Sequence, residues 1–448
     1  MFLPKGESIT NLLGDNSALV PPDPIPNSAV KRSSADGSVG SPHVRVGHCQ
    51  APNNTKRPPK RVAFLHFSFF ISVAFSNNQM QFPRVWQFLF LADALNATLG
   101  YNGLLFVAES GMPVSLKSYN TFGIDHHCAE LIEIADAAEL PAIIRTLDER
   151  DQSYFILGGG SNVVLTSDLD TTVLRMVNKG IEVAEDDASW HLSVAAGENW
   201  HQLVSWTLEN QMPGLENLAL IPGTVGAAPI QNIGAYGVEL MDICEWVEYL
   251  SLPDCVTVRL TAAECRFDYR DSIFKHDLKG KAIITRVGFN LPKMWQPKLN
   301  YGPLAEFDTD TVTPEMIYER VIAVRSEKLP DPAKLGNAGS FFKNPIIDAA
   351  SFAAIVKQYP DAVAYALEDG RMKLAAGWLI DKAGLKGFRL GDAGVHDKQA
   401  LVLVNFGAAT GKDILKLAKH VINEVHTRFG VQLEPEPNVM GRLSLLTE

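Results

Sequence analysis

The chain has 448 residues, of which 46% are hydrophobic and 20% charged, a composition that excludes a mainly disordered, fibrous or polytopic membrane protein. The formal net charge is −11, and residues 112–448 hold 31 Lys and Arg against 45 Asp and Glu. We expect no nucleic-acid partner, because so acidic a body repels a polyanion. Five cysteines without a CxxC pair favour a reducing, cytoplasmic location and predict neither a disulfide framework nor a zinc site.

Residues 1–111 differ from the rest of the chain. Residues 20–54 are rich in Pro, Ser, Gly and Asn without periodicity, which predicts disorder. Basic residues then precede the apolar run Val62–Phe75, which resembles a signal-peptide core or short anchor. The run is short for a bilayer span and contains His66, so we expect no stable membrane association. We interpret the extension as disordered or non-native upstream sequence, with Met112 as the natural start.

Strand and helix patterns alternate irregularly after that point. Short apolar runs between turn residues predict strands at Tyr154–Leu157, Leu192–Ala195, Val256–Leu260, Ala282–Leu291 and Leu401–Phe406. Capping signals predict helices at Trp200–Glu209 after Asn199, from Thr313-Pro314 to about Lys328, and at Asp413–Arg428 before Gly430. The absence of a regular βαβ rhythm predicts an α+β fold rather than a doubly wound sheet.

Several common nucleotide-binding, hydrolase and metal-binding motifs are absent from the sequence. Gly411-Lys412 is followed by Asp413 instead of the Ser or Thr of a phosphate-binding loop, and neither HExxH nor GxSxG occurs. The run Asp125-His126-His127-Cys128 looks like a metal cluster, but adjacent residues rarely converge on one ion. We interpret this run as a turn or helix start and predict no metal site.

Two glycine-rich segments are the candidates for ligand binding. Gly158–Asn162 follows a predicted strand directly, and its three glycines allow successive backbone amides to face one anion. A tight structural turn explains this segment equally well. The longer segment, Ile221–Gly237, combines small residues with Tyr236, whose ring could lie against a flat ligand. A buried loop packing on itself is the alternative, but two such segments favour an extended ligand with phosphates and a ring.

Several motifs together resemble the UDP-N-acetylenolpyruvoylglucosamine reductase family, flavoenzymes of bacterial peptidoglycan precursor synthesis. The matching motifs are Asn120–Asp125, Gly158–Val163, Pro213–Glu216, Ile221–Gly237, Cys265–Ser272, Lys328–Pro332, Gly336–Pro345, Ala375–Ile380 and Leu433–Glu436. The resemblance covers about residues 115–441 and leaves the extension without a counterpart. Leu299–Gly302 resembles the substrate-covering tyrosine segment of the family's longer form.

The resemblance implies a three-domain α+β flavoenzyme. Residues 112–180, completed by 433–448, and residues 181–328 would be the two FAD-binding subdomains, with 329–432 as the substrate-binding domain. NADPH would reduce FAD, which then passes hydride to UDP-N-acetylglucosamine enolpyruvate to give UDP-N-acetylmuramic acid for cell-wall synthesis, cell shape and division. The UDP-sugar and NADPH would use one cavity in turn. The protein is expected to be a cytoplasmic monomer.

Matching the family's motifs residue by residue implies a set of site residues. Ser340 would donate the proton that quenches an enolate-like intermediate, which Arg270 and Glu436 would orient and stabilise. Contacts to FAD are expected from Gly158, Gly159, Gly160, Ser161, Asn162, Pro222, Gly223, Tyr236 and Arg325. Contacts to the substrate are expected from Tyr301, Lys328, Asn344 and Gln399. Without the resemblance, Ser340 would be interpreted as a turn hydroxyl, Arg270 as half of a surface ion pair and Glu436 as an exposed carboxylate.

Two other functions remain open at this point. The chain could be another FAD-dependent oxidoreductase of the same fold group, acting on a different sugar or alcohol. It could also be a catalytically silent flavin- or UDP-sugar-binding protein. The joint presence of Arg270, Ser340 and Glu436 argues against an oxidase, because hydride abstraction from an alcohol needs no acid to quench an enolate.

Overall fold

The structure, a computed structural model, describes residues 113–441. The predicted disorder at 20–54, the apolar run at 62–75 and the proposed start at Met112 lie outside the described residues. Helices and strands mix irregularly, and the sheets are mostly antiparallel. The predicted α+β class is therefore confirmed. Among residues 113–441, no helix combines the length and apolar character that a membrane span needs.

The first region of the chain is a mixed sheet with one helix packed on it. Its elements are β1 (Val114–Ser115), β2 (His127–Ile134), α1 (Leu140–Glu149), β3 (Tyr154–Leu157), β4 (Val163–Leu165) and β5 (Leu169–Met176). The sheet order is β1-β2-β5-β3, with β2 and β3 parallel to β5. Ile143 and Ile144 on the apolar face of α1 bury against Ile134 and Leu174.

The second region is built on a five-stranded antiparallel sheet. Its elements are β6 (Ile181–Glu185), β7 (Ser189–Ala195), α2 (Trp200–Glu209), β8 (Gly234–Ala235), β9 (Val238–Glu239), β10 (Cys244–Ser251), β11 (Val256–Thr261), β12 (Ala282–Pro292) and α3 (Pro314–Lys328). The sheet order is β11-β10-β12-β7-β6, and β8 with β9 forms a separate hairpin. Trp200 of α2 and Val321 of α3 are buried in the core of this region.

The third region contains two small antiparallel sheets and the longest described helix. Its elements are β13 (Gly336–Ser340), β14 (Ile346–Ile347), α4 (Ala349–Gln358), β15 (Ala364–Ala366), β16 (Met372–Leu374), α5 (Ala376–Lys382), β17 (Arg389–Leu390), β18 (Ala393–Val395), β19 (Val402–Asn405), α6 (Gly411–Phe429) and β20 (Asn438–Met440). The sheet orders are β13-β19-β18-β17 and β14-β16-β15. Strand β20 instead pairs in parallel with β4, so the end of the described chain returns to the first region.

The helix caps agree with the sequence predictions, with one adjustment. Asn199 Oδ1 accepts a hydrogen bond from Gln202 N at 3.0 Å, as an N-cap at the start of α2 does. The helix α6 begins at Gly411, two residues earlier than predicted. The reason is a capping box, in which the Thr410 and Asp413 side chains each bond the other residue's backbone N–H.

One buried cluster spans the first and third regions. Phe122, Leu157 and Val164 belong to the same cluster as Phe341 and Leu417. Full burial of such a side chain stabilises the fold by about 1.5–3 kcal/mol. The segment after β3 and the end of β13 are thereby anchored to a common core. The division into domains at 180, 328 and 432 stays a prediction.

Candidate active site

The two glycine-rich segments pack against each other at backbone distance. A Cβ atom added to Gly158 would lie 2.8 Å from Thr224 Oγ1, and one on Gly159 would lie 3.0 Å from Gly223 Cα. Gly160 has a φ of +63°, and a Cβ there would overlap the Tyr119 carbonyl oxygen. Side chains at Gly158 and Gly159 would force the two segments apart, and one at Gly160 would displace the backbone at Tyr119. The glycines therefore allow a close approach that other residues could not make.

Ser161 and Asn162 fasten the first segment to its neighbours. Ser161 Oγ donates to the Pro222 carbonyl oxygen at 3.3 Å. Asn162 Nδ2 donates to Gln231 Oε1 at 2.7 Å and to the Glu436 carbonyl oxygen at 3.4 Å. Asn162 therefore ties the first glycine segment both to the second one and to the segment that carries Glu436.

The second glycine segment is more ordered than a loop. Val225–Gln231 forms a 3₁₀ helix that ends at Asn232 in the left-handed region, with φ +43°, and the β8–β9 hairpin follows. Asn232 Nδ2 donates to Glu239 Oε2 at 2.8 Å and to the Asp268 carbonyl oxygen at 3.1 Å. These bonds join the segment to the turn that carries Arg270.

A cleft runs along the two glycine segments. One cavity of about 320 Å³ has mainly apolar walls, among them Phe155 and Ile284. A second, of about 120 Å³, is lined by Gly158–Asn162 and Pro222. Both cavities are lined by Gly158 and Thr224, so they adjoin. The cleft thus combines an apolar compartment with backbone amides, which are the surroundings that an aromatic, phosphate-bearing ligand requires.

Tyr236 and Arg325 lie close to one another in the second region. Tyr236 has a φ of +51°, and its carbonyl oxygen accepts a hydrogen bond from Asn217 Nδ2 at 2.9 Å. The Nε of Arg325 is buried and has no hydrogen-bond partner among the described residues. Burial lowers the pKa of Arg325, and the nearby Tyr236 hydroxyl opposes this effect. An unpaired buried guanidinium nitrogen fits an electron-rich group of a bound molecule, so these residues and the cleft fit FAD.

Arg270 and Glu436 are brought together from distant parts of the chain. Arg270 Nε lies 3.5 Å from Glu436 Oε1, and the Glu436 side chain is only 9% exposed. Arg270 Nη2 also donates to the Gly234 carbonyl oxygen at 2.8 Å. Burial raises the pKa of Glu436, while the positive charges of Arg270, Lys275 and Lys343 act in the opposite direction. The pair is thus a partly buried ion pair held by the β8–β9 hairpin.

Ser340 is the last residue of β13 and is exposed to solvent. The register of β13 against β19 shifts between Asn337 and Ser340, and Gly339 within the shift has a φ of +70°. Such a bulge changes the direction in which the following side chain points. Glu436 N donates to the carbonyl oxygen of Phe341, the next residue, at 2.9 Å. The three predicted catalytic residues therefore lie on segments that are in direct contact.

Tyr301 lies in a cluster of aromatic rings. Its ring stacks on Tyr365 with centroids 6.1 Å apart and meets Tyr236 edge-on at 6.2 Å. Tyr301 is 41% exposed, and the partial burial of its ring, together with the contact to the Tyr365 hydroxyl, raises the pKa of Tyr301 to about 12. The aromatic contact joins the predicted substrate residue Tyr301 to the predicted flavin residue Tyr236.

The other predicted substrate residues are Lys328, Asn344 and Gln399. Lys328 is exposed at the last position of α3. Asn344 N donates to the hydroxyl oxygen of Tyr269 at 3.2 Å, and its Oδ1 accepts from the first residue of α5 at 2.9 Å. Gln399 Oε1 accepts from Leu401 N at 3.4 Å in the turn before β19. Across residues 113–441, no hydrogen bond or ion pair joins Lys328 or Gln399 to the Arg270–Glu436 pair.

Three residues around the site escaped the sequence analysis. Asn217 binds the Tyr236 backbone, Lys275 Nζ donates to the Arg270 carbonyl oxygen at 2.8 Å, and Tyr365 stacks on Tyr301. Asn217 directly follows a matched motif and Lys275 comes three residues after another, so their positions carried a signal. Tyr365 lies outside the matched motifs, and its role depends on a tertiary contact.

The interpretation of the run Asp125–Cys128 as a turn or helix start is wrong, because His127 and Cys128 begin strand β2 and pair with β1. Ser115 Oγ donates to Asp125 at 2.7 Å, Asp168 lies within 3.7 Å of both adjacent histidines, and Cys128 is buried. In the part of the chain that the structure describes, no three His, Cys, Asp or Glu side chains are grouped to hold a metal ion.

Comparison with known proteins gives two family matches. Residues 129–261 match the FAD binding domain, and residues 331–440 match the C-terminal domain of UDP-N-acetylenolpyruvoylglucosamine reductase. The reductase of Shewanella oneidensis is 62% identical over 329 residues, which is 73% of this chain and 96% of that protein. The reductase of Escherichia coli is 50% identical over 327 residues, with the same two coverages.

A solved structure agrees with these matches. The UDP-N-acetylenolpyruvylglucosamine reductase of Thermus caldophilus superposes with a TM-score of 0.51 at 27% identity, covering 74% of this chain and 98% of that one. A relative this similar over nearly its whole length establishes the family, and with it the multi-domain α+β fold. The chain therefore belongs to the UDP-N-acetylenolpyruvoylglucosamine reductase family of FAD-dependent oxidoreductases.

Proposed function

We propose that this chain reduces UDP-N-acetylglucosamine enolpyruvate to UDP-N-acetylmuramic acid for peptidoglycan precursor synthesis, with NADPH as the hydride source. The observation that carries the proposal is the Arg270–Glu436 ion pair on segments that contact the end of β13, where Ser340 lies. Family membership and the cleft that fits FAD support it. When bound, FAD accepts hydride from NADPH and supplies it to the vinyl carbon of the substrate.

Arg270 stabilises the negative charge that develops on the substrate. Hydride addition leaves this charge on the adjacent carbon and its carboxylate, for which the planar fork of a guanidinium is well suited. The bond from Arg270 Nη2 to Gly234 and the ion pair with Glu436 hold the guanidinium in one orientation. A charge fixed before the reaction stabilises the intermediate without a cost of reorganisation.

Ser340 donates the proton that completes the reduction. A neutral hydroxyl is a weak acid, and it acts in this role only where nearby positive charge stabilises the alkoxide that it leaves. We assign that stabilisation to Arg270, while Glu436 keeps the guanidinium oriented. Because Ser340 is exposed, solvent can return a proton to it before the next turnover.

FAD is held by the two glycine segments and the residues beside them. We assign its phosphates to the backbone amides of Gly158–Gly160, next to Ser161 and Asn162. The remaining contacts come from Pro222, Gly223, Tyr236 and Arg325. In the proposed division, residues 112–180 with 433–448 and residues 181–328 grip FAD, while 329–432 bind the substrate.

The substrate and NADPH occupy one cavity in turn. Lys328 and Tyr301 contact the diphosphate, for which a terminal ammonium and a hydroxyl are suitable donors. Asn344 and Gln399 contact polar groups elsewhere on the UDP-sugar. Two rings that pack on Tyr301, those of Tyr236 and Tyr365, support its role as the cover of this cavity.

We also propose that the enzyme is a cytoplasmic monomer. The four cysteines among residues 113–441 are unpaired thiols, which supports a reducing compartment. Light scattering after size-exclusion chromatography should give the mass of one chain, 49.0 kDa. A concentration-independent dimer would contradict the monomer.

Anaerobic stopped-flow absorbance tests the proposed reaction. The purified protein is mixed first with NADPH and then with the enolpyruvyl substrate, while the flavin band is followed. Bleaching by NADPH and recovery on addition of the substrate are expected. Bleaching without recovery would favour an oxidoreductase with another acceptor. A protein that carries no flavin and takes up none on addition of FAD would overturn the assignment of the cleft.

A further inference from the structure

Lys275 is a half-buried lysine behind the proposed catalytic pair. It ends the short 3₁₀ turn Ile273–Lys275, and its Nζ donates to the Arg270 carbonyl oxygen at 2.8 Å. It lines the cavity beside the glycine segment Gly158–Asn162. It also lines a polar cavity of about 1100 Å³ to which Glu436 contributes. Lys275 thus lies between the cofactor cleft and the catalytic pair.

The backbone of Arg270 requires support of this kind. Its φ of +54° lies in the left-handed region, which is strained for a residue that bears a side chain. Asp268 and Asp271 close the turn around it through reciprocal N–H to carbonyl bonds of 3.1 and 3.0 Å. The Lys275 ammonium holds the Arg270 carbonyl within that turn, and so helps to set the direction in which the guanidinium leaves the backbone.

Lys275 also contributes to the charge around Glu436. Arg270, Tyr269 and Lys275 face this carboxylate from the 268–275 turn. Lys343 faces it from the segment after β13, but its ammonium is paired with Glu434 at 2.9 Å. The ammonium of Lys275 donates instead to a neutral carbonyl, and the carboxylates that act on its charge are Glu436 itself and Asp271.

We propose that Lys275 is a positioning residue for the reduction, because its ammonium fixes the Arg270 backbone and keeps positive charge beside Glu436. The proposal rests on the proposed function, since the roles of Arg270 and Glu436 belong to it. Lys275 acts through these two residues. The half-reaction that it supports is the transfer of hydride to the enolpyruvyl group. Reduction of the flavin by NADPH needs no charge stabilisation on that group.

The test compares the two half-reactions in substituted proteins across pH. Lys275→Met removes the charge and the donor, Lys275→Arg keeps both, and Lys279→Met removes an exposed cation that lines the same polar cavity. In Lys275→Met, bleaching by NADPH should stay within about threefold of the unsubstituted protein, while recovery slows about 10²-fold. In the plot of recovery rate against pH, the acidic limb should shift to higher pH by about one unit, because Glu436 loses a cation that favours its ionised form. Lys275→Arg should restore both the recovery rate and the position of its acidic limb, and Lys279→Met should change neither.

Several results would overturn the proposal. The first is that the flavin band of Lys275→Met recovers at the same rate as in the unsubstituted protein, with the acidic limb at the same pH. Equal slowing of both half-reactions without rescue by arginine is another, because it indicates a purely structural role. If Lys275→Met loses FAD, Lys275→Gln, which keeps a donor without the charge, takes its place in the comparison. Loss of FAD from that variant too would overturn the proposal, since Lys275 would then hold the cofactor or the fold itself. Failure of the unsubstituted protein to recover would instead refute the proposed function.

Discussion

Replacement of Asn217 by leucine tests how the aromatic cluster is held. Asn217 is 2% exposed, and its Nδ2 donates to the carbonyl oxygens of Tyr236 and Lys298, each at 2.9 Å. One amide therefore joins the proposed flavin contact to the segment that leads to Tyr301. Leucine has a similar size and shape, so the substitution removes the two hydrogen bonds with little change in packing.

The expected loss of stability follows from the surroundings of the two carbonyl groups. Tyr236 is half-buried, so an unsatisfied carbonyl there costs about 1–3 kcal/mol. Lys298 is exposed, water can replace the lost donor, and the cost is about 0.5–1.5 kcal/mol. The free energy of unfolding should therefore fall by about 1.5–4.5 kcal/mol. Because the Tyr301 segment loosens, we also expect KM for the enolpyruvyl substrate to rise about tenfold, with a smaller change in kcat.

Urea unfolding of the FAD-loaded protein and steady-state kinetics measure the two effects. Asn210→Leu is the matched control, because Asn210 Nδ2 also donates to a carbonyl oxygen, that of Trp206, at 2.8 Å but on the exposed surface. The control should change stability by less than about 0.5 kcal/mol. A loss in Asn217→Leu no larger than in the control, or a change in kcat without one in KM, would refute this account of the aromatic cluster.

Three further substitutions test other parts of the site. Ser340→Ala should retain FAD and bleach normally with NADPH while recovery slows about 10²–10⁴-fold, and equal slowing of both steps would contradict its role as proton donor. Gly159→Ala places a Cβ 3.0 Å from Gly223 Cα, so flavin content per protein, read from absorbance, should fall; full occupancy would argue against this contact. Glu216 is buried, accepts hydrogen bonds from Trp295 and a backbone amide, and has a pKa raised by burial. Its contribution to stability is therefore largest below the unfolded pKa and is lost as pH rises through the folded value. Glu216→Gln should lower the free energy of unfolding by about 1–3 kcal/mol at acidic pH and by less as pH rises; a loss that grows with pH would contradict the sign.

The regular elements were predictable because their signals are local. Asn199 and Thr313 mark helix starts by side chains that bond backbone amides three residues later, and the structure contains both caps. The strand Tyr154–Leu157 was predicted with the bounds that it has. These signals need only a few consecutive residues, so tertiary packing did not overrule them.

The pairing of distant segments was not predictable in this way. The proline residues on either side of Glu436 suggest an exposed loop, yet the side chain is 9% exposed. The segment is instead held by Phe341 and Asn162, whose bonds to it come from other parts of the chain. Nothing near Glu436 in the sequence encodes that burial, and only the resemblance to a family selected this residue.

The same reasoning explains why Lys275 was missed although its neighbour Arg270 was selected. Motif matching finds the residues with which a family contacts its ligands. It misses the residues that hold those contact residues in position. Lys275 acts through one bond to a backbone carbonyl and through charge, and neither interaction is visible without the left-handed turn at Arg270. A strained turn persists only where other contacts hold it. The residues that make those contacts are therefore candidates for positioning the catalytic side chain. The strained turn, rather than the motif, is therefore the feature that identifies Lys275.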